Sequence, residues 1–402
     1  MINVGTDIVE IRRFSEMERL DTFLNRYFTE KERKYFEDKK NSFESIAGAY
    51  AGKEAFSKYL GSGIRGFSLN DIEILHNDLN KPYILFKGEK VSADVSISHS
   101  EKYAVAVVCG EGLHGVIPQK DFYKKLLPKR FEDMNKGDCG RVFIIGGSVG
   151  MLGAPCLCAK AAMRCGSGLV TLGTPECIQP YASVKLDEVM TCPLKCGDGK
   201  VSVSALPEIR ERLKSCDVCA IGPGLGRSDD IVKVTEEVLK SEKPCVIDAD
   251  GINALSGNID LLKKKNCQAV LTPHPGEMAR LTGISINEVQ KDREAVALKF
   301  AKEYNCVLLL KGNKTVIASP DGRVHINESG NSGMASGGMG DVLTGVIASF
   351  IGQGVDIYDA AVLGAYVHGL AGDIAVKEIG EFGLMAGDVT EKLAIAIKEI
   401  ND

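Results

Sequence analysis

Ser329-Gly-Asn-Ser-Gly-Met-Ala-Ser-Gly-Gly-Met-Gly-Asp-Val-Leu-Thr-Gly345 runs from a loop rich in glycine (Gly330, Gly333, Gly337, Gly338, Gly340) straight into an apolar helical pattern over residues 342–350. Glycine reaches positive φ without steric cost and lets the backbone approach a ligand closely. The first N–H groups of the following helix have no intrahelical partner, so loop and helix together make an anion site. One carboxylate, Asp341, stands where those N–H groups converge. An acid beside a bound phosphate is repelled, so this placement makes sense if Asp341 handles a proton or a metal during phosphoryl chemistry. A helix N-cap would also account for one aspartate, but an N-cap needs no such run of glycines.

Upstream of this loop, strand and helix patterns alternate. The apolar run 141–145 ends in Gly146-Gly-Ser148, and 217–221 ends in Gly222-Pro-Gly-Leu-Gly226. Asp248 and Asp250 close the run 244–250, where they could bind a metal or cap the next helix. The run 269–272 leads into Pro273-His-Pro-Gly-Glu277, with His274 held between two prolines. The run 306–310 leads into Lys311-Gly-Asn-Lys-Thr315, at the head of a hairpin over 316–326. Continuous apolar strands separated by helical patterns predict an α/β domain with a mainly parallel sheet flanked by helices. Every polar or glycine-rich motif follows the C-terminal end of a strand, the edge that carries ligands in such sheets. No Gly-x-x-x-x-Gly-Lys-Ser/Thr motif is present, which excludes the P-loop class.

The 402 residues are too many for one typical domain. A hydrophobic share of 44% and a charged share of 26% fit a soluble globular chain, and a net charge of −5 argues against nucleic acid as partner. No apolar run approaches the roughly 18 residues of a membrane span, and the N-terminus lacks a signal-peptide order. A cytoplasmic protein with no membrane partner is expected. All 13 cysteines fall between Cys109 and Cys306. An odd number in such a chain points to reduced thiols. Cys156/Cys158 and Cys216/Cys219 have no histidine near them and read as small hydrophobes rather than zinc ligands.

A boundary falls near residues 110–125, where the apolar run 103–109 gives way to glycines and then to a basic lead-in helix over 120–130. Before it, helices are predicted over 11–20, 30–36 and 43–59, and short strands around 72–75, 83–86, 94–97 and 104–108. This is a small α+β module. Asp7 lies on what could be a first strand, while Glu54 and Lys58 share one face of the long helix, being four residues apart. Two carboxylates from distant elements with a nearby lysine suggest a Mg²⁺–diphosphate site. An i,i+4 Glu–Lys surface salt bridge is the plainer alternative.

Taken in order, the motifs after residue 116 resemble the ADP/ATP-dependent NAD(P)H-hydrate dehydratases of the ribokinase-like superfamily. The resemblance rests on Leu271–Glu277, Lys311–Ile317 and Gly330–Gly345. Lys136-Gly137, Gly146–Ser148, Gly222–Gly226 and Asp248–Asn253 match the same family, with Asn135 standing where it usually has histidine. It implies a substrate of NADH or NADPH hydrated at C6, with ADP as phosphoryl donor giving AMP, phosphate and restored NAD(P)H. Asp341 would be the base that deprotonates the C6 hydroxyl. Lys311, Gly312, Asn313, Lys314, Thr315 and Gly340 would contact the adenine nucleotide. Ala154, Gly224, His274 and Asp341 would line the hydrated dinucleotide. A separate NAD(P)H-hydrate epimerase is the expected partner.

Residues 1–115 are similar to the holo-acyl-carrier-protein synthases, which are 4′-phosphopantetheinyl transferases. The resemblance implies Mg²⁺ on Asp7 and Glu54, held against the diphosphate of coenzyme A. It gives Glu54 and Lys58 the catalytic roles, with Lys58 stabilising the leaving phosphate. Gly61, Gly63, Pro82 and His99 would line the coenzyme A pocket, and the acceptor would be an acidic acyl-carrier protein facing Arg12, Arg13, Arg19 and Arg26. Ala49 stands where this family commonly has arginine. The expected architecture is thus two domains, 1–115 and 116–402, a small α+β transferase-like module followed by an α/β ribokinase-like domain. A homo-oligomer is expected. The alternative is a small-molecule, vitamin-precursor kinase carrying an N-terminal docking or oligomerisation module.

Overall fold

The computed structural model describes residues 2–60, 68–77, 79–91, 93–111 and 119–402. They form two compact units, Met1–Phe122 and Tyr123–Asp402. Among the described residues no helix is long and apolar enough to cross a membrane.

In the first unit, strands β1 (Ile2–Glu10), β5 (Asp94–His99) and β6 (Tyr103–Glu111) form an antiparallel sheet in the order β1-β6-β5. Strands β2 (Ile72–His76), β3 (Pro82–Phe86) and β4 (Glu89–Lys90) form a second sheet. The helix Phe43–Tyr59 lies across the first sheet, as the apolar pattern predicts. Its approach is set by glycine: a Cβ on Gly5 would lie 2.0 Å from the carbonyl oxygen of Ala55. The predicted helix over 11–20 does not form. It is replaced by two pieces, Arg12–Ser15 and Leu20–Tyr27. At 100° per residue, Phe14 and Phe23 would point to opposite sides of one continuous helix. The break lets their rings meet edge to face at 5.6 Å, with Tyr50 beside both.

The core of this unit also holds a fully buried ion pair. Lys53 Nζ donates to Glu32 Oε2 at 2.7 Å and to the carbonyls of Tyr27, Leu69 and Ile72. Glu32 accepts further from the backbone N–H groups of Thr29 and Ile74, each at 2.9 Å. Burial pushes the Glu32 carboxyl up and the Lys53 ammonium down, against their mutual attraction. The pair joins the helix Glu30–Asp38, the helix Phe43–Tyr59 and strand β2 at one point.

The second unit is built on a nine-stranded sheet. In chain order its strands are β7 (Arg141–Ile145), β8 (Leu169–Pro175) and β9 (Met190–Leu194), then, after the small hairpin β10 (Cys196–Gly197) and β11 (Lys200–Val201), β12 (Val218–Ile221), β13 (Cys245–Ile247), β14 (Ala269–Leu271), β15 (Val307–Leu310), β16 (Thr315–Ala318) and β17 (Val324–Asn327). The order across the sheet is β17-β16-β15-β14-β13-β12-β7-β8-β9, parallel from β15 to β9 and ending in the antiparallel hairpin β16–β17. Alternate residues enter opposite cores. Val142, Ile144, Val218 and Ala220 pack under the helices Gly153–Arg164, Met339–Gly352 and Ile357–Ile379, while Phe143, Ile145, Cys219 and Ile221 face the other side. The chain enters at β7, builds outward to β9 and then crosses to β12, so the strand order reverses between β7 and β12. Crevices at such a reversal bind ligands at the carboxyl ends of the strands.

The buried ion pair gives a stability test. Glu32→Gln leaves Lys53 charged without its counter-ion and is expected to destabilise the first unit by about 3–5 kcal/mol. Replacing both residues by leucine and methionine should cost much less. Chemical denaturation of the full chain, followed by a probe in the first unit, checks both.

Candidate active sites

The glycine loop ends on Gly338, the N-cap of the helix Met339–Gly352, at φ 94°. A Cβ there would come within 2.7 Å of Leu157 and 2.9 Å of Ala386, so both the backbone angle and the space demand glycine. Asp373, on the helix Ile357–Ile379, holds the start of the loop. It accepts from the Gly330 N–H and from Asn331 Nδ2, each at 2.9 Å. Asp341 is not the N-cap; it sits in the first turn of the helix.

Behind that turn lies a cluster of charges. Asp248 follows β13 and is 1% exposed. It occupies the N-cap position of the helix Ala249–Leu255 but makes no side-chain cap bond. Its Oδ1 instead accepts from Lys311 Nζ at 2.7 Å and Thr272 Oγ1 at 2.8 Å, and its Oδ2 accepts from Thr344 Oγ1 at 2.8 Å. Of the two readings left open for Asp248, metal ligand or helix cap, the cap is not what its side chain does. A neutral cap needs one donor, whereas this carboxylate has three. Asp250 turns the other way and accepts from the Gly226 N–H at 2.7 Å. Lys311 also lies 4.0 Å from Glu277 Oε2. Burial opposes the charge on Lys311, but Asp248, Glu277 and Asp341 outweigh it and hold the ammonium above the usual lysine range. Burial, reinforced by the negative charge of Asp248, pushes the Asp341 carboxyl up to about 7.

His274 caps the helix Pro275–Thr282, its Nδ1 accepting from the N–H groups of Gly276 and Glu277 at 3.0 and 3.3 Å. Burial lowers its basicity, and because Nδ1 accepts two N–H bonds the ring's proton belongs on Nε2. The ring lines an open recess of about 450 Å³ with Lys311, Gly312, Gly337 and Gly340. A larger cavity of about 580 Å³ lies alongside. Its walls include Lys311, Gly312, Asn313, Lys314 and Thr315 on one side and Ser329, Gly330, Met339 and Gly340 on the other. The structure thus brings the predicted nucleotide residues to one cavity, with His274 at its edge. Ala154 and Gly224 meet separately at the β7/β12 reversal, where a Cβ on Gly224 would touch that of Ala154 at 3.2 Å. Ser148 Oγ donates to the Gly224 carbonyl at 2.8 Å and fixes that turn.

In the first unit, Asp7 shares the helix-facing side of β1 with Gly5 and Val9. Lys58 Nζ donates to Asp7 Oδ1 at 2.9 Å. The predicted i,i+4 partner, Glu54, is half-buried one turn earlier, next to the hydroxyl of Tyr50. His99 ends β5 and is exposed; Pro82 opens β3. Gly61 and Gly63 lie outside the described residues. Ala49 is buried in the core. Of the predicted basic face, Arg12 is tied to Glu16 at 2.6 Å, and Arg13 and Arg26 lie over the rings of Tyr50 and Tyr27.

Sequence reasoning passed over Thr272, Thr344 and Asp373. Thr344 carried a signal, since it lies three residues after Asp341 and therefore on the same helix face. Asp373 carried none, because its partners are more than 40 residues away.

The geometry can be set beside known proteins. The profile of the 4′-phosphopantetheinyl transferase superfamily matches residues 3–108. A Moorella thermoacetica protein named bifunctional NAD(P)H-hydrate repair enzyme Nnr is 46% identical over 278 residues, 69% of this chain and 52% of its own length. The chain thus spans about half the length of the bifunctional repair enzymes it matches. The ADP-dependent (S)-NAD(P)H-hydrate dehydratase of Neisseria meningitidis is 35% identical over 292 residues, covering 71% of this chain and 95% of that protein. A crystal structure of the ADP/ATP-dependent NAD(P)H-hydrate dehydratase of Bacillus subtilis, co-crystallized with ATP/Mg²⁺, superposes with a TM-score of 0.61 at 32% identity, covering 70% of this chain and 97% of that one. The NAD(P)H-hydrate dehydratase profile itself matches residues 142–394, and the chain belongs to that family.

Proposed function

We propose that the chain joins two enzymes. Residues 116–402 dehydrate hydrated NADH or NADPH using ADP. Residues 1–115 transfer 4′-phosphopantetheine from coenzyme A to a serine of an apo-acyl-carrier protein. The observation that carries the first reading is Asp341, a carboxyl held near neutrality in the first turn of a glycine-led helix, beside the cavity lined by Lys311–Thr315.

Hydroxide is a poor leaving group, so dehydration at C6 needs an activated oxygen. Asp341 takes the proton of the C6 hydroxyl as that oxygen attacks the terminal phosphorus of ADP. The bond from phosphorus to the bridging oxygen breaks and AMP leaves. The ring nitrogen's lone pair then expels phosphate from C6, and loss of the C5 proton restores the dihydronicotinamide. The N–H groups at Gly340 and the helix start stabilise charge on the phosphoryl group in flight. Lys311 is held by Asp248 and Glu277 and so adds a fixed positive charge. His274, with its proton on Nε2, offers a donor to the dinucleotide. The epimerase that completes such repair is proposed to be a separate protein, in keeping with relatives that carry two activities on a longer chain.

For the transferase, Asp7 and the half-buried Glu54 provide the hard carboxylate oxygens that Mg²⁺ prefers, and Lys58 already sits against Asp7. The ion would neutralise the diphosphate of coenzyme A. Glu54 orients the carrier-protein hydroxyl, and Lys58 donates toward the departing phosphate.

Asp341→Asn should lower turnover of ADP and hydrated NADH by about 10²–10⁴-fold, measured as restored dihydronicotinamide absorbance. Absence of that absorbance with the wild-type chain would sink the dehydratase reading. Because the base must be ionised, kcat/KM should fall as pH drops through about 7, and this acid limb should be missing from the residual activity of Asp341→Asn. Glu54→Gln should abolish the mass gain of apo-carrier protein incubated with coenzyme A and Mg²⁺ while sparing the dehydratase. If both activities vanished together, the assignment of Glu54 to one site would be wrong.

A further inference from the structure

The turn Gly312–Thr315 forms one wall of the larger cavity, and its conformation is not one that a chain adopts unaided. Gly312 has φ 149° and Lys314, a non-glycine residue, has φ 55°. What holds it is a residue outside the cavity lining. Arg293 opens the helix Arg293–Tyr304. Its Nη1 donates to the carbonyls of Asn313 at 2.6 Å and Lys314 at 3.3 Å, and its Nη2 donates to that of Leu310 at 2.7 Å. The guanidinium lies flat against Gly312, where a Cβ would fall 2.9 Å from Nη2. Its Nε is buried and has no hydrogen-bond partner among the described residues. One planar fork thus gathers three carbonyls from both ends of the turn, a geometry that lysine's single ammonium does not reproduce.

The consequence follows from peptide planarity. Each trans peptide carries its N–H antiparallel to its C=O, and the described chain has no cis bond. With the carbonyls of Asn313 and Lys314 turned onto Arg293, the amides of Lys314 and Thr315 point away from the guanidinium. Gly312, Asn313, Lys314 and Thr315 all line the cavity, and Arg293 does not. Successive amides in a turn of alternating φ make an anion-binding concavity.

We propose that Arg293 is a positioning residue for the nucleotide. It never touches ADP, but it aims the 314–315 amides at the diphosphate by clamping the carbonyls behind them. This rests on the larger cavity being the ADP site. The two ideas fail separately, because ADP binding can be measured without turnover.

The test compares wild type, Arg293→Ala and Arg293→Lys in the full chain, with thermal melts to confirm folding. Arg293→Ala should weaken ADP binding by calorimetry, and raise the KM for ADP, by about 10- to 100-fold. Its kcat and its KM for hydrated NADH should stay near wild type. Arg293→Lys should recover part of the loss, and added methylguanidine should restore ADP affinity to Arg293→Ala. A folded Arg293→Ala protein with wild-type ADP affinity overturns the proposal. So does a uniform loss across kcat and both KM values with no response to methylguanidine. Wild-type protein that binds ADP in an Arg293-dependent way yet does not dehydrate would sink the proposed function and leave the clamp standing.

Discussion

The carboxylate of Asp248 is the brace on which the second unit's site depends. It sits at the end of β13 and is tied by hydrogen bonds to Thr272 after β14, Lys311 after β15 and Thr344 in the helix that follows the glycine loop. Four separate elements therefore converge on two oxygen atoms. A hydrogen bond to a charged group is worth about 1.5–3 kcal/mol, and a buried carboxylate without partners is costly. The three donors make the buried charge tolerable, and that charge in turn fixes where the donors stand. Lys311 is thereby turned toward Asp248 and Glu277, and the turn after it lines the larger cavity. The same charge acts on Asp341, whose proton it helps retain.

The first unit uses a buried charge differently. Lys53 and Glu32 satisfy each other and four backbone groups besides Tyr27. Their effect is to tie the helix Phe43–Tyr59, which carries Glu54 and Lys58, to the helix Glu30–Asp38 and to β2. The lysine proposed to act in transfer is the exposed one, four residues from Glu54 and bonded to Asp7. Of the neighbouring residues Lys53 and Glu54, one is buried in the core and the other, half-buried, is the one proposed to hold the metal.

Local pattern reveals what local forces decide. The helix Phe43–Tyr59, the strands β7 and β12 and the hairpin β16–β17 were legible because apolar periodicity and flanking glycines specify them over short spans. Gly338 and Gly340 were legible too, since a demand for positive φ or close approach leaves a mark at the position itself. The expected helix over 11–20 is broken between Arg12–Ser15 and Leu20–Tyr27, and the rings of Phe14 and Phe23 meet across that break, a contact between two segments that local pattern does not show. Asp248 stayed open between metal ligand and cap because its partners come from residues 272, 311 and 344, and the direct bond of Lys58 to Asp7 went unread because the two lie 51 residues apart. Charges that act across the fold leave no signature in their own neighbourhood.

One consequence concerns how the site can bind a diphosphate and still keep a base. A cavity lined with free lysines would hold ADP tightly, but their field would drag Asp341 toward the ordinary aspartate range. A proton acceptor works best when its pKa lies near the operating pH. Here Lys311 is the cation closest to the charge cluster, and Asp248 and Glu277 already offset it. In the proposed site much of the recognition of phosphate then falls to dipoles, the glycine-loop amides, the helix start and the turn at 312–315, beside the partly offset charge of Lys311. Dipoles stabilise charge developing on the phosphoryl group without adding a net positive charge beside Asp341. On the proposed function the density of glycine in the loop serves the chemistry, because amides can replace cations only where the backbone comes close enough to touch the ligand.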